Sequence, residues 1–174
     1  HPFSEATWQK VARLQSNSPT AQALAAAPPP LLCGWHRRIL HQGQVHLSIF
    51  HGDVSTAMAG LRRQQRQPVD AWFLDGFAPT NNPAMWHVDV LASVAGLSKT
   101  GTTVATFTAS GQVRRDLQDL GFAMEKIDQR PFKRSSLLGR FVPSAARQPV
   151  TAPNNFNVLG AGIAGAWAAR QLAD

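Results

Sequence analysis

The chain is nearly free of cysteine. Cys33 is the only one in 174 residues, so no internal disulfide forms, which suits a reducing, cytoplasmic setting. The six histidines are scattered, none at a ligand spacing from Cys33, and a zinc site is not expected. No apolar run approaches the roughly 20 residues of a membrane-spanning helix, so no membrane partner is expected either. The opening His1-Pro2-Phe3-Ser4-Glu5 has neither the basic nor the apolar region of a signal peptide. There is no Gly-x-Ser-x-Gly, no Cys–His pairing and no phosphate-loop lysine, which argues against hydrolase and kinase chemistry. Internal repeats are absent. Acids are scarce as well, 10 against 17 lysines and arginines. The net charge of +7 points to a polyanionic partner, nucleic acid first, or else to arginines that are merely solvated. The chain has no initiator methionine, opens and stops abruptly, and reads as a piece of something longer.

What is present is a globular composition, 44% hydrophobic and 16% charged, enough for one domain with a core. The organising stretch is Val69-Asp70-Ala71-Trp72-Phe73-Leu74-Asp75-Gly76-Phe77-Ala78-Pro79-Thr80-Asn81-Asn82-Pro83-Ala84-Met85-Trp86. Its first half is the near-continuous apolar run of a buried parallel strand. Its second half is a loop marked by prolines, a glycine and an Asn-Asn pair. Open α/β sheets bind ligands outside the carboxyl ends of their strands, where Asp75 would stand. Asp75 is thus either a working acid or a cap for the turn after the strand.

Around this stretch, helices are expected over residues 4–16, with Ser4 as N-cap, and over 54–65, 84–97 and 110–120, with Gly121 as C-terminal cap. Pro28-Pro29-Pro30 begins an extended loop through Gly34. Strands are expected over 44–50, where Val45, Leu47 and Ile49 alternate with His46 and Ser48, over 69–74 and over 102–107. Phe122 to Ile127 and Leu137 to Val142 read as a closing pair of strands. Strand and helix alternate, so the class is α/β with a mainly parallel sheet. Residues 143–156 hold three prolines and small polar residues and read as a linker.

After that linker, Asn157-Val158-Leu159 leads into Gly160-Ala161-Gly162-Ile163-Ala164-Gly165 and an Ala-rich helix. Gly160, Gly162 and Gly165 satisfy the Gly-x-Gly-x-x-Gly turn of a dinucleotide fold, whose helix N-terminus holds a pyrophosphate. The acidic ribose-binding position would fall beyond Asp174, so the motif leaves FAD and NAD both open. Gly52-Asp53 is a second acidic strand end, fit either for an adenine amino group or for capping the helix that follows. Arg114-Arg115 and Lys133-Arg134 are basic pairs that could neutralise phosphates or simply face solvent. Phe77, Trp86 and Phe132 could stack on an unstacked base or belong to the core.

The stretch from Val69 to Pro79, Asn82-Pro83, Met85-Trp86, Ala105-Thr106-Phe107-Thr108-Ala109 and Val113-Arg114-Arg115, followed by a linker and the glycine motif, resembles the MnmC family of bifunctional tRNA 5-methylaminomethyl-2-thiouridine biosynthesis proteins. The resemblance implies an S-adenosylmethionine-dependent methyltransferase domain over residues 1–142, with a Rossmann-like sheet. It implies the start of an FAD-dependent oxidoreductase domain over 157–174. The oxidoreductase removes a carboxymethyl group from a wobble uridine of tRNA, and the methyltransferase methylates the amine left behind. It further implies Asp75 as the acceptor of the amine's proton, with the 76–86 loop, including Phe77, Asn82 and Trp86, as a clamp. Gly52 and Asp53 would lie near the adenosine, and Arg114, Arg115, Lys133 and Arg134 near the tRNA backbone. The family's donor-binding glycine-rich strand and its acidic ribose-binding strand end should precede His1. An incomplete sheet, weak cofactor binding and low stability of the isolated chain are therefore expected. The family's basic segment is altered here to Arg130-Pro131-Phe132-Lys133-Arg134-Ser135-Ser136-Leu137-Leu138. Two rivals remain: an oxidoreductase with a non-catalytic basic tRNA-docking domain, and a non-catalytic nucleic-acid-binding protein.

Overall fold

The computed structural model describes residues 3–64, 67–130, 133–143 and 156–159. Two compact units divide the chain, the first running through Asp53 and the second starting at Val54.

The first unit begins with helix α1, Glu5–Leu14. Ser4 caps it, its Oγ accepting from the Thr7 N–H at 3.3 Å, as its residue type led one to expect. A second helix, α2, Pro19–Ala26, was not foreseen. Its start is marked by Ser18, which accepts from the Ala21 N–H at 3.3 Å, and by a proline at the first helical position. Gln9 Nε2 donates to Ala25 O at 3.1 Å and Gln22 Nε2 to Ala12 O at 2.9 Å, lashing the two helices together. Strands β1, Gly34–Leu40, and β2, Val45–His51, then form an antiparallel ribbon. The expected strand at 44–50 is thus real but belongs to a hairpin and not to a parallel sheet. The connecting turn at His41–Gly43 explains the reversal, since its residues take φ of 50°, 56° and 94°.

The second unit carries α3, Val54–Gln64, then β3, Val69–Leu74, a 3-10 turn at Pro83–Trp86, and α4, Val88–Gly96. It continues with β4, Ser98–Thr106, α5, Gly111–Asp119, β5, Phe122–Gln129, β6, Lys133–Phe141, and β7, Phe156–Leu159. Among the described residues the sheet has the order β5-β6-β4-β3-β7. The class is α/β, but the sheet is mixed: β7, β3 and β4 run parallel, while β6 pairs antiparallel with both β4 and β5. The closing pair of strands expected at the end of this region is the antiparallel part. Proline at 83 and the N-cap at His87 divide the single helix expected over 84–97 into the 3-10 turn and α4.

Strand β3 lies inside the sheet, between β4 and β7, and is buried on both faces, which is why it reads as a continuous apolar run. Trp72, Leu74, Val69 and Val104 from the sheet pack with Leu91 and Val94 of α4, Val113 and Leu117 of α5 and Met58 of α3. Leucine, valine and methionine at helical spacing on each helix supply the inward stripe. Gly121, φ 100°, ends α5 in the left-handed conformation expected of it, its N–H reaching Gln118 O at 3.0 Å.

Candidate active site

At the carboxyl end of the sheet the parallel strands finish in register, Leu74 opposite Thr106 on one side and Leu159 on the other. Asp75 therefore leaves the middle one of three aligned parallel strand ends, the end of an open α/β sheet at which ligands are bound. It is half-buried, and its N–H turns back at once to Phe73 O at 3.1 Å, bending the chain off the strand.

The loop that follows is held at several points. Trp86 Nε1 donates to Phe77 O at 2.8 Å. Asn81 and Asn82 both donate their N–H to Ala78 O, at 2.8 and 3.1 Å. The side chain of Met85 lies directly over Gly76, where an added Cβ would collide with its sulfur. Beneath the loop Val54, Leu74, Met85, Trp86, Val90 and Leu91 line an apolar void of about 10 Å³, the lower limit for a single water. The loop is a pinned cover resting on the core.

These contacts divide the aromatic candidates. Trp86 is 7% exposed and part of the core, with its indole N–H spent on the loop backbone. Phe77 is 71% exposed and presents a free ring face at the same end of the sheet. Asn82 is half-buried at the start of the 3-10 turn. Phe132 and the glycines Gly160, Gly162 and Gly165 lie outside the described residues, as does most of the expected linker, 144–155. Of the dinucleotide motif only its strand, β7, is described.

The neighbouring strand end adds residues that the sequence offered only as part of the family resemblance, with no role assigned. Phe107, read as the last residue of a strand, stands one position past β4 and is exposed. Thr106 Oγ1 accepts from the Thr108 N–H and Thr108 Oγ1 from the Ser110 N–H, both at 3.2 Å, and Ser110 caps α5. This succession of hydroxyls sets the path of residues 106–110 from β4 into α5. The signal was available in the sequence: Thr-x-Thr-x-Ser after a β-branched run is a chain of local side-chain-to-backbone acceptors.

Arg114 and Arg115 are exposed on α5. Arg115 Nη2 donates to Gln112 Oε1 at 2.9 Å, and Gln112 Nε2 to Asp116 Oδ1 at 2.7 Å. Lys133 and Arg134 open β6. Gly52 and Asp53 follow β2 at the end of the first unit, where the Phe50 ring lies against Gly52. No group of three or more potential metal ligands occurs among the described residues.

The opposite end of β3 is built differently. Asp70, with its side chain 3% exposed, pairs with Lys99 Nζ at 2.6 Å. The register advances two residues on β3, from Val69 to Ala71, against five on β4, from Ser98 to Thr103, and Gly101 with φ 94° accommodates the excess. Lys99 rises from that bulge. Trp72 Nε1 donates to Ser98 Oγ at 3.0 Å, and Ser98 Oγ donates to Val94 O at 2.8 Å. Thr102 Oγ1 accepts from the Lys99 N–H at 2.9 Å and donates to Val69 O.

Residues 15–141 match the model of a family of S-adenosyl-L-methionine-dependent methyltransferases. The chain is 43% identical over 157 residues to the tRNA 5-methylaminomethyl-2-thiouridine biosynthesis bifunctional protein MnmC of Marinobacter nauticus, covering 90% of this chain and 24% of that protein. It is 38% identical over 152 residues to the protein of the same name from Pseudoalteromonas translucida, covering 83% of this chain and 23% of that one. It thus spans about a quarter of the length of these curated relatives. The crystal structure of MNMC2 from Aquifex aeolicus shares the fold, with a TM-score of 0.56 at 21% identity, over 72% of this chain and 38% of that one.

Proposed function

Because the chain belongs to the S-adenosyl-L-methionine-dependent methyltransferases, we propose that the carboxyl end of β3 is where a methyl group reaches an amine on tRNA. The acceptor in this reading is the aminomethyl group of a 5-aminomethyl-2-thiouridine at the wobble position. The observation that carries it is Asp75, half-buried at the end of the central parallel strand beneath a pinned loop. The tRNA-modifying relatives supply the substrate class.

The residues present suit this chemistry. The donor supplies an electrophilic methyl on a positively charged sulfur. A carboxylate favours a cation beside it, and Asp75 is the acidic group at this strand end. Asp75 accepts the proton that the aminomethyl nitrogen must lose before its lone pair can form the new N–C bond. As that bond forms, the C–S bond breaks and its electron pair stays on sulfur. Phe77 offers a flat apolar face on which a splayed uracil can stack. Trp86 and Asn82 hold the loop that carries Phe77, so that amine and methyl meet in line. Arg114, Arg115, Lys133 and Arg134 serve the phosphate backbone.

In the full-length protein the proposal joins this domain to an FAD-dependent oxidoreductase that exposes the amine by removing a carboxymethyl group. Gly160, Gly162 and Gly165 would cradle that cofactor's pyrophosphate. The family match over residues 15–141 favours methyl transfer over a purely docking role for this region.

The test is transfer of labelled methyl from S-adenosylmethionine to tRNA bearing the aminomethyl group, in the full-length protein. Activity that falls at least a hundredfold in Asp75→Asn, roughly the contribution of a general base, with donor and tRNA binding kept, upholds the proposal. Full activity in the variant makes Asp75 a turn cap. No transfer by the unaltered protein removes the methyltransferase reading.

A further inference from the structure

We propose that the outer face of the β1–β2 ribbon is an RNA-contacting surface that takes an unstacked base and its phosphate. The proposal rests on the tRNA reading above and adds a second contact region to it. The two faces of the ribbon differ sharply. Trp35, Arg37 and Ile39 of β1 stand opposite Phe50, Ser48 and His46 of β2, and all but the half-buried Phe50 are exposed. The other face, with His36, Arg38, Leu40, Val45, Leu47 and Ile49, is half-buried or buried.

Three features of the outer face suit RNA. The Trp35 and Phe50 rings pack together with centroids 5.0 Å apart, leaving Trp35 39% exposed as a braced aromatic platform. Arg37 lies two residues along the same face, about 7 Å from Trp35 by strand geometry. Its guanidinium makes no hydrogen bond or ion pair among the described residues. Arg38 is the useful contrast. It donates to Ala27 O at 3.0 Å and Pro28 O at 2.9 Å, and so fastens the preceding loop to the ribbon. One arginine of the pair is structural, and the other faces solvent with no ion-pair partner among the described residues.

Charge decides the partner. No aspartate or glutamate occurs between Glu5 and Asp53, so neither strand nor the turn joining them carries a carboxylate. A second copy of this face would set Arg37 against its own symmetry mate, which like-charge repulsion disfavours. A polyanion with exposed rings meets the cation and the aromatic platform together, and a single-stranded loop of tRNA has both.

The test is binding of unmodified tRNA transcript by the full-length protein across a salt series. In the double variant Trp35→Ala/Arg37→Gln, Kd should rise about tenfold, the scale of one lost base stack. The slope of log affinity against log salt should fall by about one for the single lost cation. Trp35→Phe, which keeps a stacking face, should recover most of the loss, and Leu14→Ser on α1, a site more exposed still, should change nothing. If the double variant fails to fold, Arg37→Gln alone carries the salt-slope test. Unchanged Kd and slope overturn the proposal, as does sedimentation showing a dimer that the double variant dissolves. The outcome separates from the methyl-transfer reading. A protein that methylates tRNA but binds it normally in the double variant removes only this surface. A protein that binds through this face but transfers no methyl removes only the reaction.

Discussion

The two ends of the β3–β4 pair carry a carboxylate each and treat it in opposite ways. At the amino end Asp70 is sealed in and matched by Lys99 at 2.6 Å, while the nearby strand residues Ser98 and Thr102 close their hydroxyl hydrogen bonds on the sheet and on α4. At the carboxyl end Asp75 is half-buried where β3 passes into its loop, and Phe77 two residues on and Phe107 just past β4 are exposed. The same residue type is enclosed beside a cation at one end and stands half-buried at the start of a loop at the other. Burial of a charge is tolerated only when partners meet it, so the closed end must be complete to be stable at all.

Substitutions at the two ends should separate stability from turnover. The largest expected loss comes from Trp72→Ala, which empties a core site and removes the indole donor to Ser98 Oγ. About 3–5 kcal/mol should disappear in denaturant unfolding. Lys99→Met should follow, since it takes the cation away from the buried Asp70 carboxylate. The side chain of Lys99 is 38% exposed, so water shares its charge and the loss should be roughly 2 kcal/mol, below that of a fully buried pair. At the other end Gly76→Ala pushes the Met85 sulfur off its seat. A thioether can swing aside, so stability should fall by about 1 kcal/mol or less, while methyl transfer falls more steeply because the loop loses its position. The smallest effect belongs to a pair outside both ends. Hydrogen bonds from Arg130 hold the exposed Asp128 carboxyl below its ordinary value of 3.8. A carboxyl lowered on folding adds stability above its unfolded pKa and loses it as pH falls through the folded one. Arg130→Ala should therefore lower the melting temperature slightly at neutral pH, a small loss because the pair is exposed, and the difference should vanish as pH falls below the carboxyl's folded pKa.

How much of this was readable beforehand depends on the kind of signal. β3 was legible to the residue, because burial on both faces leaves a continuous apolar run closed by a charge. The caps at Ser4 and Gly121 were legible because their chemistry is local. β1 was missed, since Trp35-His36-Arg37-Arg38-Ile39 mixes polar and apolar residues on both faces, and its alternation shows only once its partner is known. α2 was passed over despite Ser18-Pro19, for its small residues make a weak apolar stripe. The candidate site followed the same division. Asp75 and its loop stood out through strand-end position, whereas the burial of Trp86, the exposure of Phe107 and the Asp70–Lys99 pair depend on packing and on a bulge far along the chain. The mixed sense of the sheet was hidden for that reason too, as β5 and β6 look alike in either direction.

The most direct measurement compares Asp75→Asn with Lys99→Met in the full-length protein, reading methyl transfer to tRNA and thermal unfolding side by side. Asp75→Asn should lose at least about a hundredfold in turnover with stability within about 0.5 kcal/mol of the unaltered protein. Lys99→Met should lose stability while its remaining folded fraction turns over normally. If Asp75→Asn instead unfolds the protein and leaves the turnover of the folded fraction intact, the two carboxylates have the same structural role and the site lies elsewhere.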